Sequence, residues 1–298
     1  MLEYSKEESK SSIIRHFHQN VLGKFPSKEY LKTSHNGKLG HWLETGLGGA
    51  IDADGNADLN GFECKVDSDK TSWGDWGANY RIFADKSFAS FASTNIVNSM
   101  WEFVRIFGLY RDDPIKGKYY SWSGKHVPEK VNESTYTGTS LIEKDEDIYI
   151  NYCYENDVRE NKELIVPPEF RKNELVLFKW YGRDESFNTF VDDLKHRQLP
   201  IEIQLTGKNA SVSLEERIRR KFDVYGMVVG LHNKSDGFYG LKFLERVTLQ
   251  DWIRYFNEEN IIFDTGLTTR NKRPRNQWRS SKKFMATLEE DIYIPRNA

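Results

Sequence analysis

An Asn-Gly pair at positions 60 and 61, inside the segment Asp58-Leu59-Asn60-Gly61-Phe62-Glu63-Cys64-Lys65, restricts the fold of this chain more than any other feature. Such a pair between short runs that contain apolar residues is the strongest local signal for a two-residue β-hairpin turn. In that hairpin Asp58 lies opposite Glu63, and the strand period of two adds Lys65 to the same face. The other face carries apolar side chains, namely Ala57, Leu59, Phe62, Cys64 and Val66. We therefore expect one face to join a core and the other to present two carboxylates and an ammonium.

The two opposed carboxylates indicate a divalent cation. Like charges directly opposite each other on a sheet are unfavourable unless something neutralises them. Mg²⁺ suits such a site, because it binds through one or two carboxylates, keeps several waters and takes further ligands from a phosphate. A lysine beside it can orient or help deprotonate the water that attacks this phosphate. The segment thus predicts phosphodiester hydrolysis, with Asp58 and Glu63 on the metal and Lys65 at the water.

This arrangement resembles the active site of the PD-(D/E)XK nuclease superfamily. Asp58 matches the first acid, Glu63 the second, and Lys65 the lysine of the E-x-K element. Ala57 stands where the family name has proline, a position that carries no chemistry. The resemblance implies an α/β (α+β) fold, with a restriction-endonuclease-like core, a mixed central sheet flanked by helices, and two lobes around a DNA cleft.

A further acid precedes the hairpin, in Gly40-His41-Trp42-Leu43-Glu44. A helical glutamate at this place is similar to the MutH-like group of the superfamily, which includes a mismatch-repair nicking enzyme and several type II restriction endonucleases. The resemblance implies that Glu44 binds a second ion or orients Lys65, and that the backbone carbonyl of Cys64 is a metal ligand. His41 lies three residues before Glu44, on the same helix face. It is a candidate for DNA contact, with a structural role as the alternative.

The resemblance also implies the reaction conditions and the partners. It indicates a type II enzyme that cuts double-stranded DNA with Mg²⁺ and leaves 5′-phosphate and 3′-hydroxyl ends. Mn²⁺ is expected to substitute, and Ca²⁺ to bind without supporting cleavage. The functional partner would be a cognate DNA methyltransferase in the same bacterial or archaeal host. A DNA-repair or structure-selective nicking endonuclease is the first alternative.

The same residues allow a second alternative, a calcium-binding loop. The run DADGNADLNGFE places Asp52, Asp54, Asn56, Asp58, Asn60 and Glu63 at the ligand positions of an EF-hand. Three features argue against it. Ala57 occupies the position where the sharp turn calls for glycine. The entering segment contains several glycines, each of which costs about 1 kcal/mol inside a helix. The residues after Glu63 have no helical apolar period.

A basic segment near the end of the chain is the candidate for DNA reading. From Arg270 to Lys283 it contains seven basic residues and no acidic one. Pro274 favours a loop for its first part. Arginine can bind the O6/N7 edge of guanine with two hydrogen bonds, although a charge run can also bind phosphates without selectivity. The DNA-binding candidates are Arg270, Lys272, Arg273, Arg275 and Arg279, together with Lys70 in a predicted polar loop after the hairpin.

Composition limits the remaining possibilities. The net charge of −2 gives no global case for nucleic-acid binding, so that argument depends on the local basic segment. Two cysteines are too few for a disulfide framework. No signal peptide or membrane span is recognisable, which favours a cytoplasmic protein without a membrane partner. No Walker, HExxH or GxSxG sequence is present, and we expect no nucleotide cofactor.

The pattern of apolar residues predicts the larger elements. We expect a helix over residues 9–24, another over 88–109, and strands over 148–154, 175–181, 201–205 and 238–247. A capping box at Ser213 predicts a helix with Leu214, Ile218 and Phe222 inward, and with Arg217, Arg219, Arg220 and Lys221 exposed. Pro167-Pro168 suggests a boundary between a catalytic lobe, residues 1–166, and a DNA-recognition lobe, residues 167–298.

Overall fold

The computed structural model describes residues 4–32, 37–49, 56–92, 95–196, 210–233, 235–272 and 275–295. The helices are α1 (Lys6–His16), α2 (Lys28–Lys32), α3 (Lys38–Gly46), α4 (Ile96–Phe107), α5 (Lys162–Ile165), α6 (Asp184–His196), α7 (Leu214–Lys221), α8 (Leu249–Asn257) and α9 (Lys282–Thr287). The strands are β1 (Glu63–Val66), β2 (Lys70–Asp75), β3 (Tyr80–Arg81), β4 (Leu109–Asp113), β5 (Gly117–Ser123), β6 (Thr137–Lys144), β7 (Asp147–Asp157), β8 (Leu175–Trp180), β9 (Met227–Asn233), β10 (Gly237–Leu244), β11 (Ile262–Thr268), β12 (Asn276–Ser281) and β13 (Glu289–Tyr293).

The chain forms two compact units, each made of separate segments. The first comprises Met1–Thr71, Arg217–Asp251 and Ser280–Ala298, and the second comprises Ser72–Glu216 and Trp252–Arg279. Pro167 and Pro168 lie inside the second unit, between β7 and β8, which pair with each other. The division of labour predicted for residues 1–166 and 167–298 stays a prediction.

The first unit contains a mixed four-stranded sheet in the order β1-β9-β10-β13. Its first pair is parallel, with Glu63 beside Met227 and Lys65 beside Val229. The β9-β10 and β10-β13 pairs are antiparallel. A parallel pair needs a long crossover, and here the crossover from β1 to β9 contains most of the second unit.

Helices α1 and α3 cover one face of this sheet. Ser5 caps α1 in a capping box with Glu8, and a π-helical turn, Phe17–Val21, continues it. Apolar side chains from these elements pack with the apolar face of the predicted hairpin, in a core that includes Phe17, Val21, Leu43, Leu59, Phe62, Cys64, Val228 and Phe243. The prediction that this face joins a core is confirmed. Leu59 and Phe62 are 3% and 0% exposed, respectively.

The second unit is built on antiparallel strands. One sheet has the order β3-β8-β7-β6, and the unit also holds most of a sheet ordered β2-β12-β11-β5-β4. Large aromatic side chains fill its core, including Trp122, Trp180, Trp278, Phe103 and Phe178. The ring centroids of Trp180 and Trp278 are 5.2 Å apart. This aromatic core accounts for much of the chain's aromatic content.

The structure confirms several predicted elements and corrects others. The helix predicted over 88–109 is shorter, because Asn95 caps it and α4 begins at Ile96. The predicted loop after Lys70 is wrong, since β2 occupies Lys70–Asp75. The strand predicted over 201–205 lies outside the described residues. In the part of the chain that the structure describes, no helix is long and apolar enough to cross a membrane.

Candidate active site

The predicted turn is present at Asn60 and Gly61. Both residues have positive φ, 48° and 104°. Leu59 and Phe62 exchange two backbone hydrogen bonds, 2.9 Å and 3.1 Å long. The antiparallel pairing stops at this single bridge, and the chain then enters β1 and pairs in parallel with β9. The turn prediction is therefore confirmed, whereas the sheet partner of β1 is not the preceding segment.

Contacts from two distant segments hold the turn in place. The Ser9 hydroxyl donates to the carbonyl of Asn60 at 3.0 Å, and the Tyr225 backbone N–H donates to the carbonyl of Gly61, also at 3.0 Å. A Cβ on Gly61 would lie 2.5 Å from the Tyr225 ring, so only glycine fits here. The turn is thus part of the packed unit and not an isolated reversal.

Glu63 is buried between two lysines. Its side chain is 3% exposed, and Oε1 accepts a hydrogen bond from Lys65 Nζ at 2.7 Å. Lys221 Nζ donates to both Oε1 and Oε2 at 3.0 Å. Burial alone would raise the pKa of the Glu63 carboxyl, but the charges and hydrogen bonds of Lys65 and Lys221 outweigh burial and lower that pKa below its ordinary value. Glu63 is therefore held as a carboxylate.

Asp58 lies next to this cluster. Its Oδ2 accepts a hydrogen bond from the backbone N–H of Cys64 at 2.9 Å. Burial and the negative charge of Glu63 raise the pKa of the Asp58 carboxyl, although Lys221 and Lys65 oppose the change. For Lys65, burial would lower the pKa of the ammonium, and Glu63 reverses this and raises it. The structure thus brings Asp58, Glu63 and Lys65 together, as the sequence predicted.

Lys221 is the site residue that sequence reasoning missed. The prediction that Arg217 and Lys221 lie on the exposed side of α7 is wrong: Arg217 is 4% exposed, and Lys221 contacts Glu63. The helical period contained the signal. Lys221 follows Ile218 by three residues, and Arg217 follows Leu214 by three, so both share the face of the inward apolar residues.

Glu44 and His41 lie on α3, as predicted. Burial raises the pKa of the Cys64 thiol, and the charges of Asp58 and Glu44 raise it further. Glu44 must therefore lie close enough to Cys64 to act on it electrostatically. His41 is exposed. Glu44 is therefore placed near the cluster through Cys64, while His41 presents its ring to solvent.

The donor set fits a cation that needs few protein ligands. Among the described residues, no three His, Cys, Asp or Glu side chains cluster as in a dedicated metal cage. Asp58 and Glu63 supply two carboxylates whose mutual repulsion a cation would relieve, and Cys64, whose carbonyl is the third predicted ligand, directly follows Glu63 in the sequence. This fits Mg²⁺, which takes one or two carboxylates together with waters and phosphate oxygens.

The EF-hand alternative does not fit this segment. Glu63 begins β1, where an EF-hand needs its second helix, and its carboxylate is bound by lysines. Asp52 and Asp54 lie outside the described residues.

The predicted DNA-binding residues lie mainly around the β11-β12 hairpin. Arg270, Lys272 and Arg275 are exposed, as is Lys70 at the first position of β2. Arg279 is on β12 and pairs with Asp264 at 3.1 Å. Arg273 lies outside the described residues.

The connection between β11 and β12 is anchored at its start. The Arg270 guanidinium lies 5.5 Å from the centroid of the Tyr119 ring. Trp101 Nε1 donates to the Asn271 carbonyl at 3.0 Å, and the backbone N–H of Thr269 donates to the Tyr120 carbonyl at 3.1 Å. These contacts fix the position of Arg270 and of the backbone on either side of it.

A mixed sheet with two carboxylates and a lysine where one strand begins is the arrangement of a restriction-endonuclease-like nuclease. The whole fold is similar to the solved structure of a restriction endonuclease MvaI-cognate DNA substrate complex, with a TM-score of 0.50 and 10% identity, covering 99% of each chain. At that identity the similarity concerns the fold alone. The predicted fold class is confirmed.

Sequence comparison gives the family. A family model described as LlaMI restriction endonuclease matches residues 24–292. The type II restriction enzyme ScrFI of Lactococcus lactis subsp. cremoris is 30% identical over 288 residues, which cover 96% of this chain and 98% of that enzyme. The chain belongs to the LlaMI restriction endonuclease family. It is a type II restriction endonuclease, a site-specific deoxyribonuclease, and restriction endonucleases generally use divalent metal ions.

Proposed function

We propose that this restriction endonuclease hydrolyses double-stranded DNA with Mg²⁺ and leaves 5′-phosphate and 3′-hydroxyl ends. The observation that supports this most directly is the cluster of Asp58, Glu63 and Lys65 around a turn that the surrounding unit clamps. The positioned ammonium of Lys65 favours a reaction in which negative charge grows on a phosphate. When bound, Mg²⁺ would supply charge stabilisation at the scissile phosphate.

The roles follow from the chemistry of each group. Asp58, Glu63 and the backbone carbonyl of Cys64 would hold the metal ion. Lys65 would orient the attacking water, since its ammonium is kept in place by Glu63 at 2.7 Å. Glu44 would bind a second ion or orient Lys65. We expect Mn²⁺ to replace Mg²⁺, and Ca²⁺ to bind without supporting cleavage.

DNA reading is assigned to the second unit. The residues that would contact the duplex are the exposed Arg270, Lys272 and Arg275, together with Arg273 in the same segment. Arg279 would contribute to the extent that its ion pair with Asp264 allows. Exposed arginine on an anchored hairpin suits bidentate contact with guanine. His41 and Lys70 are exposed in the first unit and would contact the backbone. Cutting would thus belong to the first unit and reading to the second.

The cellular setting follows from this activity. An enzyme that cuts defined DNA sequences needs its host's sites to be protected, so a cognate methyltransferase would act in the same cytoplasm. This partnership is functional and requires no contact between the two proteins.

One digestion tests the activity. A sequenced plasmid incubated with the protein and Mg²⁺ should give discrete fragments with ligatable 5′-phosphate ends. Nicking that follows DNA shape, without fixed fragments, would instead favour the structure-selective alternative. Ca²⁺ in place of Mg²⁺ should give binding without cleavage.

Lys65→Ala tests the catalytic assignment. Loss of a group that positions or deprotonates water typically lowers a rate by about 10²–10⁴-fold, so single-turnover cleavage should fall by this factor. DNA affinity in Ca²⁺, measured by fluorescence anisotropy, should change little. Lys10→Met is the control, since Lys10 lies on α1, pairs with Asp291 of β13 and has no role in the proposed site. A Lys65→Ala protein that cuts at the wild-type rate would refute the role.

A further inference from the structure

Two ammonium groups share the carboxylate of Glu63, and they share it unequally. Lys65 contacts Oε1 alone, at 2.7 Å. Lys221 is 3.0 Å from both oxygens and so bridges the carboxylate. A divalent cation bound by Glu63 must take at least one of these oxygens. The bridging position of Lys221 is therefore in direct competition with the cation.

The two lysines also differ in how they are held. The side chain of Lys65 comes from the middle of β1 and passes 5.9 Å from the centroid of the Phe222 ring. Lys221 is the last residue of α7, and its side chain is 22% exposed. Around it the backbone is fixed, because Phe222 donates to Ile218 and accepts from Val247. Lysine is a compact charge on a flexible four-carbon stem, so the Lys221 ammonium can leave while the helix end stays.

Charge balance favours such a departure. Asp58 and Glu63 carry two negative charges, which Lys65 and Lys221 match. Adding a divalent cation with both ammonium groups in place would leave the cluster with an excess of two positive charges in a partly buried site, where charges interact more strongly than in water. Moving Lys221 away removes one of them.

We propose that Lys221 is a positioning residue that occupies the Glu63 carboxylate in the metal-free protein and is displaced from it when a divalent cation binds. This inference rests on the proposed metal site at Asp58 and Glu63. Lys221 keeps the buried carboxylate oriented and neutralised before the cation arrives, and it sets the cation concentration at which the site fills.

Calcium titration of the DNA-free protein tests the competition without any cleavage. By calorimetry, Lys221→Met should bind Ca²⁺ about tenfold more tightly than the wild type, because the competing charge is gone. Lys221→Arg keeps a positive charge on Glu63 and should stay within about twofold of the wild type. Lys10→Met is the matched control, since its side chain is 20% exposed and also ion-paired, and it should leave the affinity unchanged. Equal or weaker calcium binding by Lys221→Met would overturn the inference.

Thermal unfolding separates this role from a merely structural one. Without calcium, Lys221→Met should melt below the wild type, because the buried Glu63 keeps only one ammonium partner. Saturating Ca²⁺ should raise its melting temperature more than that of the wild type, since tighter binding to the folded state stabilises it more. If saturating Ca²⁺ does not reduce the difference in melting temperature between Lys221→Met and the wild type, Lys221 supports the fold only.

A measurement on the wild-type protein covers the case in which Lys221→Met does not fold. Brief acetylation with an amine-reactive ester, read by mass spectrometry, should modify Lys221 more when Ca²⁺ is present than when it is absent. Modification of Lys10 should not change. Equal modification of Lys221 in both conditions would overturn the inference.

Asp58→Asn distinguishes the two levels of the proposal. If it weakens calcium binding while Lys221→Met leaves binding unchanged, the metal site stands and the role of Lys221 fails. If Asp58→Asn leaves calcium binding unchanged, the proposed metal site itself is wrong, and the competition falls with it.

Discussion

Replacing Gly61 by alanine should destabilise the protein by about 1–4.6 kcal/mol. The φ of 104° at Gly61 lies in the region that L-residues avoid at a cost of about 1–2 kcal/mol. The new Cβ would also lie 2.5 Å from the Tyr225 ring and 2.9 Å from Val224, and overpacking of this kind costs about 1–3 kcal/mol. Alanine also lowers the conformational entropy of the unfolded chain, which offsets only about 0.4–1 kcal/mol of this loss of stability.

Gly23→Ala is the matched control for backbone strain. Gly23 has φ of 66°, and a Cβ there would meet nothing within 4 Å. The Gly23→Ala substitution should therefore cost only the backbone strain, which is about 0–1.6 kcal/mol after the same entropic gain. Urea unfolding, followed by tryptophan fluorescence, measures the change in the free energy of unfolding for both variants, provided that the m-value stays constant. Equal free energies of unfolding for the two variants would refute the claim that Tyr225 clamps the turn.

The Gly61→Ala variant should also cut poorly while still folded. The turn joins Asp58 to Glu63, and displacement of positioned groups by about 1 Å can cost about 10²-fold in rate. Single-turnover cleavage below the unfolding transition should therefore fall by about this factor, while Gly23→Ala cuts normally.

Two further outcomes are expected. Asp58→Asn should raise the melting temperature at pH 7.5, because the raised pKa of Asp58 makes its ionised form a cost at neutral pH. That cost decreases as the pH falls through the pKa of Asp58 in the folded protein, and it is gone below the ordinary value of 3.8. The difference in melting temperature between Asp58→Asn and the wild type should therefore shrink in acid. A melting temperature of Asp58→Asn below that of the wild type at pH 7.5 would contradict the reasoning. Arg270→Ala should weaken cognate DNA binding in Ca²⁺ by about 1–3 kcal/mol if it reads a base, and Arg279→Ala by less, because Asp264 already engages Arg279. An equal loss for Arg270→Ala on cognate and random DNA would identify a phosphate contact.

The turn and its apolar face could be predicted because their causes are local. Asn60 and Gly61 adopt positive φ as their residue types favour, and alternation within a few residues puts Leu59 and Phe62 in the core. The partners of these residues in the fold could not be predicted. β1 pairs with β9 and Glu63 with Lys221, and no short-range pattern identifies contacts at that separation.

The error at β2 has a physical cause. Gly74 and the polar residues around it suggested a loop, but Thr71 and Trp73 are buried in alternation, as a strand requires. A Cβ at Gly74 would lie 2.3 Å from Nε1 of Trp76. Glycine is needed there because an indole ring lies against the backbone, and its presence does not indicate an irregular chain.

The parallel pairing of β1 with β9 also controls when the enzyme can become active during its synthesis. Glu63 and Lys221 are 158 residues apart, and a ribosome adding about 5–20 residues per second needs roughly 8–30 s to make the intervening chain. During that interval Glu63 has been made, but the strand and the lysine that pack against it have not. A nascent polypeptide interrupted anywhere in this stretch leaves the ribosome without the assembled carboxylate cluster.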